Sequence, residues 1–309
     1  MQRYSGNSRP ETAFMPISNW DDARIFLAVA RGGGLMAAAR TLNMDQTTVA
    51  RRLSALEAAF GARLVERSTR GVSLTVQGSA LVMHVERMEA EALAATEELG
   101  QFGSGIGGVV RLATPEAFGA HIVAPAAARL HALYPSLQLE LAPAARTVNL
   151  SRREADIAIG LSRPEQGRLV SRKLADYRLG LYASHDYLAR EGEPQRLDDL
   201  KTRPLVWYID EMIDVPELRY LDQVAQGAQT AFRSSSIAAQ QEAVASGLGL
   251  GVLHAFPADR DARLKRVLPQ SVALTRSYWL SVHADAQRIG RVRAVIDFLG
   301  HLVGEQLGR

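Results

Sequence analysis

Gln46, Thr47, Thr48, Ala50, Arg51 and Arg52 fall among Val49, Leu53, Leu56 and Phe60, whose spacing marks the buried face of a helix. The intervening residues therefore point away from a core, and their types suit a DNA major groove. Glutamine pairs bidentately with adenine, threonine offers a hydroxyl and a methyl to thymine, and arginine reads guanine or clamps phosphate. Just upstream, Leu35, Ala38, Ala39 and Leu42 mark the buried face of another helix, whose small alanines allow close crossing. Asn43, Met44 and Asp45 form the turn between the two. Asp45 is placed to accept from the first free amides of the second helix, which starts at about Gln46 and ends at Gly61. From Arg63 to Thr75 two short apolar runs flank a basic tip, Arg67-Ser68-Thr69-Arg70, followed by Gly71. This is the pattern of a winged hairpin beside a helix-turn-helix. The alternative is an ordinary helical hairpin whose arginines form a solvated face.

The charge distribution favours DNA. Residues 19–75 hold eight arginines, no lysine and five acids, an excess of three positive charges that equals the formal net charge of the whole chain. Residues 1–18 add one more positive charge, which leaves the rest of the chain at −1. With no cysteine among 309 residues, disulfides, thiolate metal sites and thiol-based peroxide sensing are excluded. No apolar run approaches the ~20 residues of a membrane span and no signal peptide is visible, so the expectation is a soluble cytoplasmic protein with no membrane partner. Neither a cofactor nor a metal is expected.

The run from Asn19 to Gly78 resembles the N-terminal domain of the LysR-type transcriptional regulators. The resemblance rests on Ala38-Ala39, Leu42, Gln46, Val49, Leu53, Leu56-Glu57, Gly61, Leu64, Arg67, Gly71-Val72, Leu74-Thr75 and Gly78. Gly34, Asp45 and Ala50 depart from it, since the family has serine there. By its length and later organisation the resemblance extends over nearly the whole chain. It implies an operator-binding protein that senses a small molecule, assembles as a dimer and then a tetramer, and has RNA polymerase as a candidate further partner.

Residues 1–14 are polar, without apolar period, and read as a flexible tail; Met15 is a candidate native start. The winged helix-turn-helix domain is expected over 15–75 and a long linker helix, capped by Thr75, over 76–102. Leu81, Val85, Met88, Ala92, Ala95 and Leu99 follow at alternating steps of four and three. Such a heptad seam, roughly 27 Å long at ~1.5 Å per residue, would dimerise the protein, although packing on its own domain is the commoner fate of an amphipathic helix. Five glycines in residues 100–108 supply a hinge, placed at 103–108.

From Val109 strands alternate with helices. Strands are expected at 109–114, 137–142 and 156–160, with helices over 119–133 and around 147–154. Further strands follow at 179–184, 205–209, 229–234 and 249–255, with a helix at 236–246. Together with the resemblance, this predicts a two-lobed α/β domain over 109–309 like a type 2 periplasmic binding protein. Lobe I takes 109–176 and 281–309, the latter carrying the end of strand 278–284 and a helix over 288–302; lobe II takes 177–280. Ligands in such folds sit at the carboxyl ends of strands, between lobes. That places Thr114, Pro115, Glu116 and Phe118 after the first strand, with Leu161, Ser162 and Arg163 beside them. Tyr208, the serines 234–236 with Ser235 at their centre, and His254 face them from the other lobe. The amides after Thr114 suit an anion or polar head group, whereas Glu116 favours a donor or positive group. Each residue also has a plain structural reading, as a helix cap, a turn or a buried histidine. Trp207 and Trp279 read as core.

An enzyme is the rival reading, since the two-lobed fold also hosts transferases such as porphobilinogen deaminase. That family ties its cofactor to a cysteine, which is absent here, and GxSxG, HExxH and Walker motifs are absent as well. No catalytic residue is expected.

Overall fold

The computed structural model describes residues 17, 19–68, 71–100, 106–143, 155–164, 169–213, 216–219, 221–225, 227–284 and 286–308. The tail 1–14, the wing tip Thr69 and Arg70, residues 103–105 of the hinge and the helix expected around 147–154 lie outside them. The chain divides into two compact units, residues 1–93 and 94–309.

The first unit begins with α1 (Trp20–Gly32), capped by Asn19, whose Oδ1 accepts from Asp21 N at 2.9 Å. Next come α2 (Leu35–Leu42) and α3 (Gln46–Phe60). α2 ends on Asn43 in the left-handed region, φ 51°, and α3 on Gly61, φ 61°. Asp45 stands at the head of α3 as expected but makes no side-chain cap bond: its side chain is exposed, so water solvates the carboxylate instead of the helix amides. The three helices bury Phe26, Leu27, Ala38, Val49, Leu53 and Leu56 in one core.

The hairpin β1 (Val65–Ser68) and β2 (Gly71–Leu74) pairs antiparallel, Ser68 opposite Gly71. It is tied back to the helices by Val72 N donating to Gly33 O at 3.0 Å. α4 (Val76–Gly100) starts on the expected cap, Thr75, whose Oγ1 accepts from Gly78 N at 2.9 Å. Gly78 is required by close approach, because a Cβ there would lie 1.9 Å from the carbonyl oxygen of Leu64.

The heptad seam is corrected by this packing. Leu81 and Val85, expected to meet a partner helix, are 9% and 0% exposed in the core of their own unit. The seam's apolar face is used up there because the first turns of α4 lie against the winged domain. Met88 is 40% exposed and Ala92 and Ala95 are exposed, so the part of the seam open to a partner begins at Met88; the side chain of Leu99 lies outside the described residues. Arg31, at the end of α1, grips α4 through both Glu89 carboxylate oxygens at 3.2 and 2.8 Å and lies 3.8 Å from buried Glu86.

In the second unit, β3 (Gly108–Thr114) leads into α5 (Glu116–Phe118), which continues through a π turn (Gly119–Val123) and a 3-10 turn (Ala124–Ala126) into α6 (Ala127–Leu133). Then come β4 (Leu137–Pro143), β5 (Ile157–Gly160), β6 (Leu169–Ser184), α7 (His185–Glu191) and β7 (Leu205–Trp207). α8 (Leu221–Ala225), β8 (Thr230–Arg233), α9 (Ile237–Ala245), β9 (Leu250–His254) and α10 (Ala255–Ala258) follow. The unit closes with β10 (Leu264–Val267), β11 (Ala273–His283) and α11 (Gly290–Gln306). The strands join in the order β4-β3-β5-β11-β6-β9-β7-β8, with β10 on β6.

β3, β4 and β5 run parallel, as do β7, β8 and β9, giving each lobe its own α/β layer. The expected lobe boundaries at 176/177 and 280/281 fall inside two continuous strands. β6 and β11 pair antiparallel from Ala273 opposite Gly180 to His283 opposite Leu169, with a bulge at Tyr278/Trp279. The lobes are therefore joined by two long strands that serve both, the physical reason being a hydrogen-bond ladder that runs through both boundaries, interrupted only by that bulge. Val110, Leu112, Ile157, Leu280 and Val282 are buried in lobe I along with Val292, Val295 and Leu299 of α11. In lobe II, Tyr182, Val206, Val244 and Leu253 form a separate cluster. Trp207 is buried as expected, whereas Trp279 is half-buried.

Candidate DNA interface and effector cleft

α3 presents Gln46, Thr47 and Arg51 to solvent, with Thr48, Ala50 and Arg52 half-buried along the same face. Arg51 has no ion pair among the described residues. Arg52 does: its Nη1 lies 3.1 Å from Asp22 Oδ1 of α1, so this guanidinium is partly committed within the domain. Arg67 and Ser68 sit on β1, with Arg67 opposite Val72; their side chains lie outside the described residues.

What fixes the wing against α3 is Glu57, 8% exposed. Its Oε1 accepts from Leu64 N at 2.8 Å and Val65 N at 3.3 Å, satisfying two buried amides where the chain leaves the helix, and Arg63 lies 3.6 Å from its other oxygen. The sequence carried a signal for this role: Val49, Leu53 and Glu57 follow at intervals of four, which puts a carboxylate on the buried face. A charge there must be hydrogen-bonded.

In the second unit the residues expected at the effector site stand at or just after strand ends. Thr114 ends β3, Leu161 and Ser162 follow β5, Tyr208 follows β7 and His254 ends β9. Thr114 is 1% exposed and its Oγ1 is buried without a hydrogen-bond partner. Pro115 and Leu161 are half-buried and Ser162 exposed. Ser235 is exposed; it is Ser236 that reaches across, because as the cap of α9 its Oγ faces the helix amides and accepts from Ala239 N at 3.2 Å.

Glu116 behaves differently from expectation. Its carboxylate bridges the lobes, accepting from Ser236 Oγ at 2.9 Å and Ile237 N at 2.7 Å, with Ala238 N at 3.5 Å. It is half-buried and is itself the anion at the head of α9.

Phe118, expected to touch a ligand, is fully buried, because its apolar ring packs edge-on to Tyr278 at 4.8 Å. Tyr278 stacks on Tyr177 at 4.2 Å, and Tyr177 on His254 at 5.2 Å. His254 meets Phe256 at 5.6 Å, and Phe256 meets His121 at 6.3 Å. This aromatic chain runs between the lobes, and the two tyrosines from β6 and β11 were not foreseen, since only the pairing of those strands brings them together. Burial pushes the His254 imidazole down to about 3, with His121 adding repulsion, so it is neutral. Burial likewise raises the Tyr278 phenol well above its ordinary value, and its hydroxyl has no hydrogen-bond partner. His121 is lowered by burial, against the opposing pull of Glu116.

Comparison with known proteins agrees with both halves. Residues 20–79 match the bacterial regulatory helix-turn-helix protein model of the lysR family, and residues 103–303 match the LysR substrate binding domain. The Mau operon transcriptional activator of Paracoccus denitrificans is 31% identical, over 94% of this chain and 98% of that protein. An HTH-type transcriptional regulator of Xanthomonas campestris is 36% identical over a shorter stretch, 59% of this chain and 53% of its own length. The structure of CrgA, a LysR-type transcriptional regulator from Neisseria meningitidis, superposes with a TM-score of 0.59 at 27% identity, covering 93% of this chain and 99% of that one. With a helix-turn-helix matching the family's N-terminal model and a two-lobed domain matching its substrate-binding model, this chain belongs to the LysR family of bacterial transcriptional regulators.

Proposed function

We propose that the protein binds operator DNA through the α3 face of Gln46, Thr47, Thr48, Ala50, Arg51 and Arg52, with Arg67, Ser68, Thr69 and Arg70 of the wing on the backbone. The observation that supports this most directly is the exposed Gln46, Thr47 and Arg51 on a helix whose opposite face is fully packed. The protein acts in the cytoplasm as a homodimer joined through the distal part of α4, from Met88 onward, and assembles further into a tetramer. RNA polymerase is the further partner such a regulator engages. The two-lobed domain takes a small molecule at the strand ends around Thr114, Pro115, Leu161, Ser162, Tyr208 and His254. A ligand that binds one lobe arrangement better than another shifts their populations, and α4 carries that bias to the recognition helices. No enzymatic step is proposed, because the relatives that the chain matches are named as transcriptional regulators.

The test is fluorescence anisotropy of the purified protein on the DNA upstream of its own gene against unrelated DNA, at two salt concentrations. Tighter and less salt-sensitive binding to the upstream fragment is expected; equal, weak, salt-sensitive binding to both overturns the reading.

A further inference from the structure

We propose that Glu116 is a built-in occupant of an anion-accepting site and, by filling it, closes that site to an anionic head group of the effector. This rests on reading the space between the lobes as the effector site. A carboxylate needs donors, and the start of α9 offers three: the Ser236 hydroxyl and the amides of Ile237 and Ala238. Glu116 takes all three from the opposite lobe, 120 residues away in sequence. Among the described residues no lysine or arginine forms an ion pair with it, and these three groups are its hydrogen-bond donors. An incoming anion would find the donors used and a like charge beside it.

The remaining chemistry between the lobes is neutral. The Thr114 and Tyr278 hydroxyls are buried and unpartnered, and each can donate and accept. Tyr278 stacks on Tyr177 and Tyr177 on His254, whose imidazole stays uncharged when buried. A glutamate spent on helix amides is not available to pair with a cation.

Chemical rescue tests this on the full chain. In E116A the donors at the head of α9 are vacated, and the thermal unfolding midpoint of the second unit should fall by roughly 3–10 °C. Formate should restore at least half of that loss relative to chloride at equal ionic strength, while giving wild type no gain over chloride. A formate-specific gain in wild type would mean that the site is open and overturns the proposal. So does an E116A midpoint that is unchanged, or one that falls without rescue, since the donors then form no anion site. Should E116A fail to fold, E116Q supplies the second reading, because it keeps the shape and removes the charge. Amide exchange of the segment 236–241 should then rise about tenfold, and exchange as slow as in wild type overturns the proposal. Neither measurement involves DNA or effector, so failure here leaves the regulator reading standing, and failure of the DNA titration leaves this one standing.

Discussion

Truncating Val85 separates the two fates of the α4 seam. The side chain is 0% exposed in the core of the first unit. Val85→Ala removes two methyl groups, a transfer loss of ~1.6 kcal/mol at ~0.8 per carbon, and the cavity left raises the cost to about 2–3 kcal/mol. A unit of this size shifts its midpoint by ~4–8 °C per kcal/mol, so calorimetry should find its transition lowered by roughly 10–20 °C at any protein concentration. Met88 is 40% exposed, so Met88→Glu should leave that transition within ~0.5 kcal/mol of wild type. On the proposed dimer, however, it buries a carboxylate, and light scattering should show a lower mass. If instead Val85→Ala reduces the mass with the transition unchanged, or Met88→Glu lowers the transition and leaves the mass alone, the division of α4 at Met88 is wrong.

Other substitutions test the remaining sites. Arg51→Ala should weaken DNA binding and lower the salt slope by about one, measured by anisotropy, and Arg52→Ala should cost less because Asp22 already holds that side chain. Glu57→Ala leaves the Leu64 and Val65 amides unsatisfied and should destabilise the first unit by ~2–4 kcal/mol in denaturant titration. His254 is held below its unfolded value near 6.5, so the stability it permits is present above pH 6.5 and is lost as pH falls towards its folded value of about 3. In that window the second unit should lose about 1.4 kcal/mol per pH unit, and His254→Phe should flatten the slope by that amount in pH-dependent unfolding.

The DNA-binding half was legible from the chain alone because its information is local. Val49, Leu53, Leu56 and the exposed residues between them lie on one helix, where a 3.6-residue period fixes which side each faces before any tertiary contact forms. The turns at Asn43 and Gly61 and the cap at Thr75 depend on neighbours a few residues away, and the structure has them where the residue types require. The alternation of strands and helices after Val109 was readable for the same reason.

Tertiary structure decided which of two equivalent faces an element uses, and with what. A heptad pattern states that α4 has an apolar stripe, but not whether its first turns cover their own domain; the position of α1 to α3 settled that for Leu81 and Val85. β6 and β11 were read short because the division into lobes suggested breaks, whereas their pairing, set by residues a hundred positions apart, carries one ladder through both lobes. Glu116 shows the limit most sharply. Its charge and its place after the first strand were plain in the sequence, yet its partner is a helix start 120 residues on. Whether a carboxylate awaits a ligand or already holds donors of its own chain depends on long-range closure, which no local pattern encodes.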